Sequence, residues 1–87
     1  MAYVYDIVSI RRMLDSGPED FRPWEREAII WCEYAENKQI YEEAKIAWAE
    51  LGKEYGRKFR LRRTRTDTPG LLMYNVYEIN PDYRKGE

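Results

Sequence analysis

The chain has 87 residues, enough for one domain across 1–87 and too few for two independent cores. Its 44% hydrophobic content, with three Trp, eight Tyr and two Phe, argues for a packed core and against disorder, and its single cysteine excludes an internal disulfide. The formal net charge of −1 conceals a segregation. Residues 1–56 hold seven Lys/Arg against twelve Asp/Glu, whereas 57–66 hold six Lys/Arg and no acid. An acidic body therefore carries one basic stretch. No window approaches the ~18–20 apolar residues of a membrane span. The first residues show no basic-then-apolar export pattern, and a lone cysteine suits a reducing compartment. A cytoplasmic protein with no membrane partner is expected.

Tyr3, Ile7, Ile10 and Leu14 recur at helical spacing, with Val4 and Val8 beside them, and predict a first helix over about 4–16. The β-branched residues between Val4 and Ile10 leave a strand open there. Ser16-Gly17-Pro18 stops the segment. Pro23 suits a first helical position, and Trp24, Ala28, Trp31 and Ala35 at steps of four, three and four predict a second helix over 23–36. Asn37 is a natural break and cap. Ile40, Ala44, Ala47 and Leu51 then form one stripe of a third helix over 38–55, closed by Gly56. The second and third helices could also run on as one.

The basic stretch Arg57-Lys58-Phe59-Arg60-Leu61-Arg62-Arg63-Thr64-Arg65-Thr66 alternates as a strand, and Thr68-Pro69-Gly70-Leu71 has the residues of a type II turn. A hairpin of about 57–66 with 71–79 follows. Pairing Phe59 with Val76, Leu61 with Tyr74 and Arg63 with Leu72 collects the apolar side chains on one face. The other face then shows Lys58, Arg60, Arg62 and Thr64 across from Leu71, Met73, Asn75 and Tyr77, with Tyr77 opposite Lys58. The expected fold is α+β, about three helices followed by a C-terminal antiparallel β-hairpin. That is a winged-helix-like order. Its third helix, however, carries Glu42, Glu43, Glu50 and Glu54 against Lys38, Lys45 and Lys53, and phosphates would repel it from a DNA groove.

The run Gly56 to Arg63, followed by the return Tyr74-Asn75-Val76-Tyr77-Glu78-Ile79, resembles the C-terminal half of small phage-encoded helix–hairpin proteins. Those often read G-[KR]-[KR]-F-x-x-[RK] and end in a V-[WY]-x-[IV] strand. The likeness departs in a longer turn and does not extend to the N-terminal half. It implies a phage or mobile-element origin and assigns no activity.

Catalytic chemistry is sparsely provided. There is no histidine, which removes the commonest general base and zinc ligand together. No glycine-rich phosphate loop and no calcium-loop spacing occur. Cys32 has no evident activating base and is expected to be a buried structural residue beside Trp31. Glu42 and Glu43, adjacent on a helix, point ~100° apart and do not form a catalytic pair. Trp24, Trp31 and Trp48 are expected in the core. No enzyme activity, cofactor or metal is expected.

Two binding readings remain. In the first, the chain engages the phosphate backbone of DNA or RNA through Lys58, Arg60, Arg62, Arg63 and Arg65, with Asn75 and Tyr77 reaching bases or sugar. Arginine outnumbers lysine five to one in the stretch, and its fork suits phosphate. Edge protection alone would not require six cations. In the second, a phage-encoded inhibitor or adaptor, anti-CRISPR-like, binds a host protein through acidic helices bearing Glu33, Glu36, Glu42, Glu43 and Glu50. A homodimer pairing the basic hairpin with an acidic helix is also open.

Overall fold

The computed structural model describes residues 6–83. The expected helix start at 4–5, with Tyr3, and the tail 84–87 lie outside them. Five elements follow in order: α1 (Ile7–Asp15), β1 (Glu27–Ala35), α2 (Lys38–Tyr55), β2 (Phe59–Arg65) and β3 (Leu72–Ile79). The strands form one sheet in the order β1-β3-β2, with β3 antiparallel to both neighbours. β1 and β2 are thus parallel, joined through α2, with β3 slotted between them as in a split βαβ unit.

Three helices before a free hairpin are therefore not what forms. Residues 27–35 make a strand where a helix over 23–36 was expected, and the winged-helix order falls with it. The cause is legible in hindsight. Ile29, Ile30, Trp31, Cys32 and Tyr34 favour a pleated surface, and β3 needs a partner on its second edge because a lone hairpin is marginal in water. A β-bulge between Ile29 and Trp31 hides the strand period, so that Ile30 and Trp31 both pack toward the core. The helical spacing of Trp24, Ala28, Trp31 and Ala35 was coincidental.

In the hairpin, Phe59 pairs with Glu78, Leu61 with Val76, Arg63 with Tyr74 and Arg65 with Leu72. This is two residues from the expected register, and an even slip preserves both faces. Thr66 Oγ1 donates to Leu71 O at 2.9 Å, and Leu71 N–H donates to Thr68 O at 3.2 Å. Gly70 supplies the turn's positive φ of 85°.

α1 and α2 cover one sheet face. Asp6 caps α1 by accepting from Ser9 N–H at 3.0 Å, and that hydrogen bond holds its carboxyl below the usual range. Asn37 caps α2 by accepting from Ile40 N–H at 2.9 Å, and Gly56 closes it at φ 65°. The core gathers Ile10, Leu14, Ala35, Tyr41, Ala44, Trp48, Leu51, Tyr74 and Val76. Trp48 meets Phe59 edge-on at 5.3 Å, and Tyr41 meets Tyr74 at 5.7 Å. Outside, α1 is tied to α2 by an Arg11–Glu54 ion pair and by Tyr55 OH donating to Asp15 at 3.0 Å. The Arg11 hydrogen bond lowers the Glu54 carboxyl from 4.5, so its stabilisation is present above that pH and lost as pH falls through the depressed value.

One buried ion pair joins the layers. Arg57 Nε and Nη2 donate to the two Glu78 oxygens at 2.9 and 2.6 Å, and the side chains are only 10% and 3% exposed. Arg57 Nη1 also donates to Leu14 O at 3.0 Å, and Glu19 N–H donates to Glu78 at 3.3 Å. Glu78→Leu strands a guanidinium in the interior and is expected to cost about 3–5 kcal/mol in urea unfolding. Gly52 allows the chain to turn back: a Cβ there would lie 2.7 Å from Arg57 O. Gly52→Ala is therefore expected to cost roughly 1–3 kcal/mol of stability, read as a lower urea midpoint, despite alanine's better helix propensity. An unchanged midpoint would show that the 52–57 backbone yields freely.

Candidate nucleic-acid interface

Helices cover one side of the sheet, and among the described residues nothing covers the other. The Cα extents are 42 × 27 × 17 Å, and the shortest admits one sheet and one helix layer only. Strand parity then decides which side chains share the bare face. From β2 come Arg60, Arg62 and Thr64, opposite Tyr77, Asn75 and Met73 of β3. From β1 come Ile29, Cys32 and Tyr34, opposite Tyr77, Asn75 and Met73. Lys58 precedes β2 with the same parity, and its carbonyl accepts from Ile79 N–H at 2.9 Å.

Tyr77 stands at the centre, flanked by Arg60 and Ile29 rather than by Lys58. The Arg62 guanidinium lies 5.7 Å from the Tyr77 ring centroid, a diagonal cation–π contact. Arg60 approaches Glu27 at 3.6 Å; with the arginine 43% exposed, that pair is weak and screened. The β1 edge of the face is apolar and open, with Ile29 57% and Tyr34 54% exposed. Three cations, one carboxylate, two tyrosines and an amide thus share one shallow surface.

Of the sequence-predicted phosphate ligands, Lys58, Arg60 and Arg62 come together here with Asn75 and Tyr77. Arg63 and Arg65 have the opposite parity. The Arg63 guanidinium sits 5.7 Å over the Tyr41 ring on the helix side. Both remain exposed at the outer edge of β2, flanking the bare face rather than belonging to it. Arg57, the first cation of the stretch, is consumed by Glu78.

The glutamates of the second reading are dispersed. Glu33 lies on β1, half-buried, and accepts from Tyr74 OH at 2.7 Å; Glu36 falls in the connection before α2. Only Glu42, Glu43 and Glu50 are on a helix, and Glu42 has Lys45 at 3.6 Å. No helix carries all five.

Sequence reasoning missed the β1 contribution, because the bulge broke its alternation, and misplaced two residues. Cys32 is exposed on the bare face and not buried in a helix. Trp24 is 68% exposed in the loop before β1, with the Arg22 guanidinium 5.7 Å from its ring. Trp24 lines a cleft of about 1210 Å³ with Phe21, Tyr55, Lys58, Ile79 and the Arg57–Glu78 pair. Its buried polar groups serve the fold: Asn80 Nδ2 donates to Arg22 O and Glu25 O at 3.2 and 2.7 Å. Among the described residues there is no cluster able to hold a metal, and no helix is long and apolar enough to cross a membrane.

No family model matches the chain, and no curated protein or solved structure matches it significantly.

Native protein is expected to be alkylated at Cys32 by a maleimide without denaturant. A thiol that reacts only after unfolding would put this face under cover.

Proposed function

We propose that the chain is a small non-enzymatic protein that engages nucleic acid through its basic hairpin, using the helix-free face of the sheet. It would act in the cytoplasm and derive from a phage or mobile element, the origin implied by its likeness to helix–hairpin proteins. The observation that carries the reading is Arg60 and Arg62 opposite Tyr77 and Asn75 on the bare face, with Lys58 continuing their parity just before β2. Guanidinium forks bind phosphate oxygens in pairs, and the exposed Arg60 and Arg62 would exchange their weak contacts with Glu27 and the Tyr77 ring for them. Such contacts set affinity and position, while the amide and the ring reach sugar or base. The helical side is poorly suited. α2 carries Lys38, Lys45 and Lys53 against Glu42, Glu43, Glu50 and Glu54, which repels a polyanion.

The test is fluorescence anisotropy of labelled DNA and RNA oligonucleotides across ~50–300 mM salt. Three phosphate contacts predict a log–log salt slope of about −2 to −3. Arg60→Ala and Arg62→Ala should each reduce its magnitude by about 1. Arg63→Ala with Arg65→Ala should change it less. No binding to any oligonucleotide at the lowest salt would overturn the reading.

A further inference from the structure

We infer that the nucleic acid held on this face is single-stranded, with one base stacked on Tyr77 and a second on Tyr34. The inference rests on the nucleic-acid reading above and specifies its ligand. A duplex hides its bases, and proteins reach them by pushing a helix or a two-stranded ribbon into a groove. This chain offers neither. α2 is net acidic, and the β2–β3 ribbon cannot protrude because β1 pairs along β3 from Leu72 to Ile79. Of the β2–β3 ribbon, the 66–71 turn alone lies beyond the paired residues, and it carries Asp67.

A flat sheet face with aromatic rings instead suits bases already splayed from a strand. Tyr77 lies on the central strand, so a base on its ring has β1 on one side and the arginine row on the other. Its neighbours across β1 are Ile29 and, toward Asn75, Cys32, neither of them charged, and Tyr77 itself is half-buried. Arg62 already lies over the ring, and a base displacing it would free the guanidinium for that nucleotide's phosphate. Tyr34, opposite Met73, is one strand over and four residues along β3 from Tyr77, which separates the two rings by roughly 14 Å. The backbone would run over Arg60 and Arg62, between hairpin edge and rings. Phosphate attraction alone would not need this arrangement. Without stacked bases, the exposed Ile29 and Tyr34 would face water with no return.

The probes are oligo(dT) and oligo(rU) 12-mers and a 12-base-pair DNA duplex, titrated by anisotropy at low salt. The single strands are expected to bind at least tenfold more tightly than the duplex. Tyr77→Leu should weaken single-strand binding by about 5- to 150-fold, the loss of one stacked base, with an unchanged salt slope. Tyr77→Phe keeps the ring and should bind as the parent does, which separates lost stacking from lost folding. Bound oligo(dT) should slow maleimide alkylation of Cys32. Equal duplex affinity, or a Tyr77→Leu variant that binds normally, would overturn the inference while leaving the hairpin reading intact if Arg60→Ala and Arg62→Ala still lose affinity. A second copy seated on the face, seen as concentration-dependent protection of Cys32 without oligonucleotide, would overturn it as well. Failure of every nucleic acid to bind would sink both.

Discussion

Arg57 and Glu78 meet in the interior between the C-terminal end of α1, the turn after α2 and the end of β3, and much of the architecture follows from their pairing. Two charges taken out of water must find each other and satisfy their remaining donors and acceptors. Here a bidentate fork answers the carboxylate, Leu14 O takes a third guanidinium N–H, and Glu19 N–H adds a donor to Glu78. In the sheet Glu78 stands opposite Phe59 and meets Arg57 on the diagonal, on the helix-covered face. Pairing Phe59 with Val76 instead would bring Glu78 directly opposite Arg57, so the ion pair is compatible with both even registers. A buried ion pair of this kind is a weak source of net stability; it opposes a one-residue slip, which would put Arg57 and Glu78 on opposite faces and leave a buried charge unpaired.

Strand parity in turn decides what the bare face displays. With Leu61 opposite Val76, the apolar hairpin residues turn toward Trp48 and Tyr41, and Arg60, Arg62, Asn75 and Tyr77 turn away. β1 then extends that face by a third strand and removes the free edge of β3. What looked like a wing is a sheet. A wing reaches into a groove, whereas a sheet offers a surface to lie against, and the change of shape alters which form of nucleic acid it suits.

How much of this was readable in advance depended on which signals survive error. The faces of the hairpin were legible because strand parity is untouched by a two-residue slip; Arg60, Arg62, Asn75 and Tyr77 share one face in either register. α2 was legible because Ile40, Ala44, Ala47 and Leu51 keep a helical period over a long segment bounded by Asn37 and Gly56. β1 was not, since one extra residue at its bulge put Ile30 and Trp31 on the same side and left a false helical spacing between tryptophans and alanines. Trp24 and Cys32 were misplaced with it. Nor could the six cations be told apart by composition. Only tertiary pairing separates Arg57, which holds the fold, from Arg62, which faces outward, and from Arg63, which lies over Tyr41.

The most direct test of a ligand on this face is an amide-resolved nuclear magnetic resonance titration of the intact chain with a short single-stranded oligonucleotide. The largest shifts should fall on Ile29, Cys32, Tyr34, Arg60, Arg62, Asn75 and Tyr77, with the outer face of α2 unmoved. Shifts centred on α2 or on the cleft around Trp24, or no shifts at low salt, would contradict the account.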